Sequence, residues 1–177
     1  ERDTKKALQA YKQAADASFV PAFNKLGVFY LTGTVVQSDP KIARQWFEKA
    51  AAKGNAMAHY NMGVMLRDGL GSAPDVEKAV EWFNKAGELG SLAAQNDLGF
   101  LYERGNGVDR DFALAAKWYR KAAEGGHGSA QFNLGNLYKR GLGVRQDFRM
   151  AREWFRRAAK QGLTPAQNAL GVVLEQS

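Results

Sequence analysis

Apolar residues recur along the chain at the spacing of an amphipathic α-helix. After residue 39 they stand at i, i+3, i+4, i+7 and i+8, which is one face of a helix. These positions are Ala43, Trp46, Phe47, Ala50 and Ala51. A second stretch, after residue 55, has Ala58, Met62, Gly63 and Leu66 at helical spacing. The pattern therefore predicts two helices in succession, which we call helix B (after residue 39) and helix A (after residue 55).

Residues with terminal preferences flank both stretches. Asp39 is a suitable N-cap for helix B, and Pro40 suits the first helical position. Gly54 is placed to end that helix in a left-handed conformation, and Gly69 ends helix A. The Gly-rich link over residues 69–75 predicts a turn rather than another element.

The whole pattern repeats every 36 residues without an insertion or deletion, as a solenoid requires. Each repeat buries its apolar face against its neighbours, so five repeats predict a curved rod. A recurring Asp begins each helix B, and a Gly recurs in the middle of each helix A. The Asp series is Asp3, Asp39, Asp75, Asp111 and Asp147. The Gly series is Gly27, Gly63, Gly99, Gly135 and Gly171. The Trp series is Trp46, Trp82, Trp118 and Trp154.

A glycine in the middle of a helix costs about 1 kcal/mol relative to alanine. Five such costs at one position of the repeat need a shared cause. We expect each glycine to let a neighbouring helix approach closely.

The predicted organisation is one array over residues 1–177. Because the chain begins at Glu1 without a methionine, we expect it to be a fragment of a longer protein. The units are 1–21 (partial), 22–57, 58–93, 94–129, 130–165 and 166–177 (partial).

The repeat unit resembles the Sel-one-like repeat, a relative of the tetratricopeptide repeat. The first full repeat departs from it at Gly33-Thr-Val-Val, and Ala10 stands where later B helices have Trp. The residues that match are Ala130, Leu134, Gly135, Tyr138, Gly141, Gly143, Val144, Asp147, Ala151, Trp154, Phe155, Ala158, Ala159 and Gly162.

This resemblance implies an all-α fold, an α/α superhelical solenoid of five 36-residue helix-turn-helix repeats with about ten helices. It implies a non-catalytic scaffold for protein–protein interaction, common in bacterial envelope signalling, polarity or host contact. A periplasmic or secreted location is favoured by the resemblance, and a cytoplasmic one stays open. The cysteine-paired relatives are excluded, because the chain has no cysteine.

By analogy with tetratricopeptide proteins, helix A lines a concave groove. The groove positions vary between repeats, whereas the core positions hardly do. Asn amides there could bond a peptide backbone, aromatic rings could anchor a partner, and basic side chains suit a carboxylate. We therefore expect a protein or peptide partner, with acidic groups favoured by the basic corner. The predicted groove residues are Asn24, Tyr60, Asn96, Phe100, Arg104, Phe132, Asn133, Asn136, Lys139 and Arg140.

The net charge of +7 leaves other partners open. A basic stripe follows the last helix B and could meet nucleic acid, anionic lipid or an acidic protein. Trp154 and Phe155 beside it belong to the repeat core, which argues against a nucleic-acid platform. A glycan or peptidoglycan ligand and a purely structural spacer are further alternatives. The stripe is Arg145, Arg149, Arg152, Arg156 and Lys160.

Catalytic chemistry finds little support in the sequence. His59 and His127 occupy different positions of different repeats, and we expect both at the surface or in the groove. The Gly-x-Gly loops follow no strand and lack a Gly-Lys-Ser/Thr ending, so they do not predict phosphate binding. We predict no catalytic residue, no metal site and no cofactor. The chain has no 18-residue apolar run, so we expect no membrane-embedded segment.

Overall fold

The computed structural model describes residues 2–175, and every regular element in that range is an α-helix. The odd-numbered helices carry the predicted B pattern and the even-numbered ones the A pattern, so the all-α prediction is confirmed. The helices are α1 (Arg2–Asp16), α2 (Val20–Thr32), α3 (Pro40–Ala51), α4 (Ala56–Asp68), α5 (Val76–Glu88), α6 (Leu92–Arg104), α7 (Phe112–Glu124), α8 (Gly128–Arg140), α9 (Phe148–Lys160) and α10 (Thr164–Glu175).

The B helices from α3 onward begin at their predicted aspartate caps. The Asp39 carboxylate accepts from two backbone N–H groups of the first turn, at 3.0 and 3.1 Å. Asp75, Asp111 and Asp147 each accept from the N–H three residues on, at 3.0, 2.9 and 2.9 Å. The prediction for Asp3 is wrong, because α1 has already begun before it.

Among the A helices, α4, α6 and α8 begin at three chemically different caps. Asn55 and Ser91 accept from the N–H three residues on, at 2.9 and 3.3 Å. At the equivalent position the imidazole Nδ1 of His127 accepts from the Ala130 N–H at 3.3 Å. Glycines with φ between 68° and 71° end α2, α4, α6 and α8, and this left-handed conformation favours glycine. They are Gly33, Gly69, Gly105 and Gly141.

The mid-helix glycines of the A helices lie directly against an aromatic ring of the following B helix. A Cβ at these positions would sit only 2.5–2.7 Å from a ring carbon, so the predicted close approach is confirmed for four of the five. The pairs are Gly27 with Phe47, Gly63 with Phe83, Gly99 with Tyr119 and Gly135 with Phe155. For Gly171 the prediction is wrong, because no described atom lies within 4 Å of such a Cβ.

The chain divides into two compact units. Unit 1 runs to Gly90 and holds α1–α5, and unit 2 runs from Ser91 and holds α6–α10. In unit 1 the core packs around Leu26, Phe47 and Met62. In unit 2 it packs around Tyr119, Leu134 and Phe155. Rings and small residues at the same positions of the repeat thus form the core of each unit.

Candidate protein-binding groove

Two A helices of unit 2, α6 and α8, carry the side chains of the candidate site. In each, a Leu-Gly pair faces the core: Leu98 and Gly99 in α6, and Leu134 and Gly135 in α8 are buried. The residues that follow these pairs, and those one turn later, therefore point away from the core. This register places the variable positions of both helices on one surface.

That surface forms a cavity of about 350 Å³, which we call the groove cavity. Seven of the ten predicted groove residues line it. Glu103, which was not predicted, completes the lining. The lining residues are Phe100, Glu103, Arg104, Phe132, Asn133, Asn136, Lys139 and Arg140.

The remaining three predicted residues lie elsewhere. Asn96 borders the groove cavity, because the Asn133 Nδ2 donates to its Oδ1 at 3.3 Å. Asn24 and Tyr60 belong to unit 1. There Asn61 Nδ2 donates to Asn24 Oδ1 at 2.9 Å, the same inter-repeat pairing of amides. Part of the hydrogen-bonding capacity of these amides is therefore used within the protein.

The aromatic residues of the predicted site differ in exposure. Phe100 has 46% of its surface exposed, as an anchor for a partner requires. Phe132 is half-buried, and its ring lies 5.7 Å from that of Phe155 in the core. Tyr60 is similarly half-buried against Phe83, at 5.6 Å. Phe100 is thus the ring most available to a ligand, while the other two also support the fold.

Basic side chains crowd one end of the groove cavity. Arg104 and Arg140 end α6 and α8, where positive charge is favoured by the helix dipole. The Arg104 guanidinium lies 5.6 Å from the Phe100 ring centroid, within range of a cation–π interaction. A second cavity of about 230 Å³, which we call the arginine cavity, shares Glu103, Arg104 and Arg140 with the first.

The carboxylate of Glu103 is held from the core side. The Tyr119 hydroxyl donates to Glu103 Oε2 at 2.9 Å. Burial, and next the charge of Glu103, raise the pKa of Tyr119, so this hydroxyl keeps its proton. A signal for this contact is present in the sequence, since Tyr119 stands where three other repeats have Phe47, Phe83 and Phe155.

The sequence predicts both histidines at the surface or in the groove, which is wrong for His59, whereas His127 is half-buried. His59 is buried, its Nδ1 donates to the Asn55 carbonyl at 2.9 Å, and its ring lies 5.4 Å from Trp82. His127 caps α8 as described above. Within the described residues, no group of three or more His, Asp or Glu side chains is placed to hold a metal ion.

The basic stripe lies on and just before α9. Arg145, Arg149, Arg156 and Lys160 are exposed, and Arg152 is half-buried. Arg156 forms an ion pair with Glu153 at 3.4 Å. None of the described helices has the length and apolar character to cross a membrane.

The repeat pattern matches a known family model. The Sel1 repeat matches residues 1–19, 21–55, 56–91, 92–127 and 128–163. The chain belongs to the Sel1 repeat family. Sel1 repeat proteins are generally non-catalytic scaffolds for protein–protein interaction.

Solved structures carry the same fold. A protective antigen of uropathogenic Escherichia coli with an SLR fold is 39% identical (TM-score 0.91), with 96% of this chain and 36% of that one covered. A Sel1 repeat protein from Oxalobacter formigenes is 36% identical (TM-score 0.90), with 98% and 71% covered. An immunity protein from Pseudomonas aeruginosa is 26% identical (TM-score 0.60), with 90% and 58% covered.

These similarities confirm the predicted fold class, an all-α solenoid of helical repeats. The chain spans about a third of the length of the E. coli antigen. No curated protein matches the sequence.

Proposed function

We propose that this Sel1 repeat protein is a non-catalytic scaffold that binds a protein or peptide segment in the groove cavity of unit 2. One observation supports this most strongly. Seven of the predicted residues, which stand at positions that vary between repeats, line a single cavity. A large exposed ring, amides and guanidinium groups in one concavity are typical of interaction sites.

The geometry favours an extended segment over a compact ligand. The groove cavity is lined by residues of both α6 and α8, and its lining combines rings, amides and basic groups. Asn133 and Asn136 lie one helical turn apart on α8. Amides at this spacing match the donors and acceptors of an extended backbone.

The proposed setting is the envelope or secreted fraction of a bacterium, in signalling, polarity or host contact. The relative from E. coli is a protective antigen, which supports contact with a host. The binding proposed for the groove cavity does not depend on this setting.

Selection from a displayed random-peptide library against the complete chain tests this proposal. Selected peptides should bind the wild type and lose at least tenfold in affinity to Phe100→Ala, because the exposed anchor is removed. Phe148→Ala is the matched control, since Phe148 is also an exposed ring of unit 2 but lies outside the groove cavity.

Unchanged binding to Phe100→Ala would contradict the proposal. Loss of binding in Phe148→Ala alone would move the site to the start of α9 and its basic stripe. A library that yields no binder would favour a glycan ligand or a structural spacer.

A further inference from the structure

We propose that the arginine cavity is a carboxylate pocket that accepts an acidic side chain of a peptide lying in the groove cavity. Arg104, Arg110 and Arg140 surround it, with Glu103 and Phe112 completing the lining. This inference rests on the proposed function and adds the chemistry of the ligand. It commits to a peptide with an acidic residue next to an apolar one.

The loop before α7 brings the third arginine to the site. Gly105 turns the chain with φ +71°, and the Asp111 N–H donates to the Tyr102 carbonyl at 2.9 Å. The Arg110 Cβ packs against Gly105, where an added Cβ would sit 3.1 Å away. The Arg110 guanidinium then lies 5.3 Å from the Phe112 ring centroid. The backbone thus holds Arg110 beside the ends of α6 and α8.

The three arginines of this cluster outnumber the one carboxylate that lines the cavity, which is Glu103. Some basic side chains outside it form ion pairs: Arg44, Lys78 and Arg157 pair with Glu48, Asp75 and Glu153. The three cavity arginines form no ion pair with an acidic side chain of the described chain.

The single carboxylate in the cavity already accepts from the Tyr119 hydroxyl. Stabilisation of helix ends explains Arg104 and Arg140 in part, but Arg110 lies outside any helix. Three guanidinium groups around one cavity favour an anion that accepts several hydrogen bonds, as a carboxylate does.

The two cavities share lining residues, and this proximity sets the spacing of the side chains that a peptide would place in them. Phe100 and Arg104 lie four residues apart on α6, about 6 Å along the helix axis. Two residues of an extended peptide span about 6.6 Å. An apolar side chain on Phe100 and an acidic side chain two positions later would therefore fill both cavities. A free C-terminal carboxylate offers the same chemistry from another source.

Fluorescence anisotropy with synthetic peptides tests the inference. The first probe is a labelled serine-rich peptide with leucine and glutamate two positions apart and a C-terminal amide. The second has glutamine for glutamate, and the third has glutamine but ends in a free carboxylate right after it. The glutamate peptide should bind about tenfold more tightly than its glutamine counterpart. Tighter binding of the third probe than of the second would show that the pocket also takes a chain terminus.

Arg110→Gln should remove the preference for glutamate, with the helices unchanged. Glutamine is structurally tolerated here, because Gln146 occupies the equivalent position of the next repeat. Arg145→Gln, in the loop before α9 and outside both cavities, should keep the preference. Circular dichroism of both variants checks that the fold is intact.

Equal affinity for the glutamate and glutamine peptides would overturn the carboxylate pocket, and so would a preference that persists in Arg110→Gln. Absence of binding by the glutamate peptide, or preferential binding of a DNA oligonucleotide that depends on Arg110, would overturn it as well. The proposed function is judged separately. Library peptides that depend on Phe100 but not on Arg110 would sustain the groove and refute the pocket.

Discussion

The two units repeat the same kind of core packing and differ in the surface that their A helices present. Unit 1 packs Phe47 and Phe83 against glycines in the middle of α2 and α4. Unit 2 packs Tyr119 and Phe155 against the corresponding glycines of α6 and α8. The same ring-on-glycine contact recurs because a close-packed interior tolerates few alternatives.

At the surface positions of these helices, packing imposes no such constraint. Unit 1 has smaller side chains there, and its Asp68 carboxylate forms an ion pair with Arg67 at 2.7 Å. Unit 2 has an exposed ring and arginines without an acidic partner in the described chain. Unit 2 thus presents the exposed ring and the arginines on which the proposed binding depends, and unit 1 has other residues at these positions. The residues compared are Val28, Thr32, Val64 and Asp68 in unit 1 and Phe100, Arg104, Asn136 and Arg140 in unit 2.

The largest expected effect concerns the ring-on-glycine packing that recurs in the core of each unit. Gly63→Leu and Gly99→Leu should each lower the free energy of unfolding by more than about 2 kcal/mol, because the new side chain meets a buried ring. Urea denaturation measures both. Gly171→Ala is the control, since its Cβ meets open space and should stabilise α10 by up to about 1 kcal/mol. Similar stability of Gly99→Leu and wild type would refute the close-packing account.

The next effect separates the two surfaces. A triple variant that gives unit 2 the residues of unit 1 (Phe100→Val, Arg104→Thr, Arg140→Asp) should weaken library-selected peptides about 30-fold, or about 2 kcal/mol. Helicity should stay unchanged, because all three side chains are exposed. Retained affinity in a folded variant would mean that the surface difference has no part in binding.

A smaller effect concerns the bond under the groove cavity. Tyr119→Phe supplies the side chain that three other repeats have and removes only the hydroxyl that donates to Glu103. Thermal denaturation should show a loss of about 1 kcal/mol, the usual contribution of a hydrogen bond. Phe155→Tyr is the complementary control, because it adds a hydroxyl at the equivalent position of the next repeat. A loss well above that of one hydrogen bond would place Tyr119 in a wider network than the structure shows.

The smallest effect is a dependence of stability on pH that distinguishes the caps of the A helices. Burial lowers the pKa of His127, and the Asp97 carboxylate opposes this shift. The neutral ring accepts the capping bond, so its contribution is complete above the unfolded pKa of about 6.5. This contribution declines as the pH falls through the lowered folded value.

The His127 effect should stay below about 1 kcal/mol, the value of a typical cap. His127→Asn copies the cap of α4 and should reduce the difference in urea midpoint between about pH 7.5 and about pH 5. An unchanged difference would show that other groups carry the pH dependence.

Much of the fold follows from the sequence, because the repeat shows which positions are constrained. Trp46 and Phe47 mark a buried helix face, and Asp39 marks its start, since apolar spacing and capping are local properties. The groove positions of α6 and α8 follow from the contrast between positions that vary between repeats and core positions that hardly vary. Local order and periodicity thus account for the helices and for most of the groove cavity.

The remainder depends on which elements meet in space. Gly171 repeats the pattern of Gly99 but lacks the ring that gives that pattern its meaning. Arg110 reaches the arginine cavity through a loop whose path the residue pattern does not specify. His59 is buried by Trp82, from the next helix along the chain. Such contacts are tertiary, so periodicity alone does not predict them.

The central claim is that unit 2, through the groove cavity, holds the partner. The most direct test is a titration of the isotope-labelled chain with a library-selected peptide, followed by NMR of the backbone amides. If unit 2 holds the partner, the largest shift changes are expected at Phe100, Asn136 and Arg140, with little change at the equivalent Val28 and Val64. Shift changes centred on Val28 and Val64, with α6 and α8 unaffected, would contradict it.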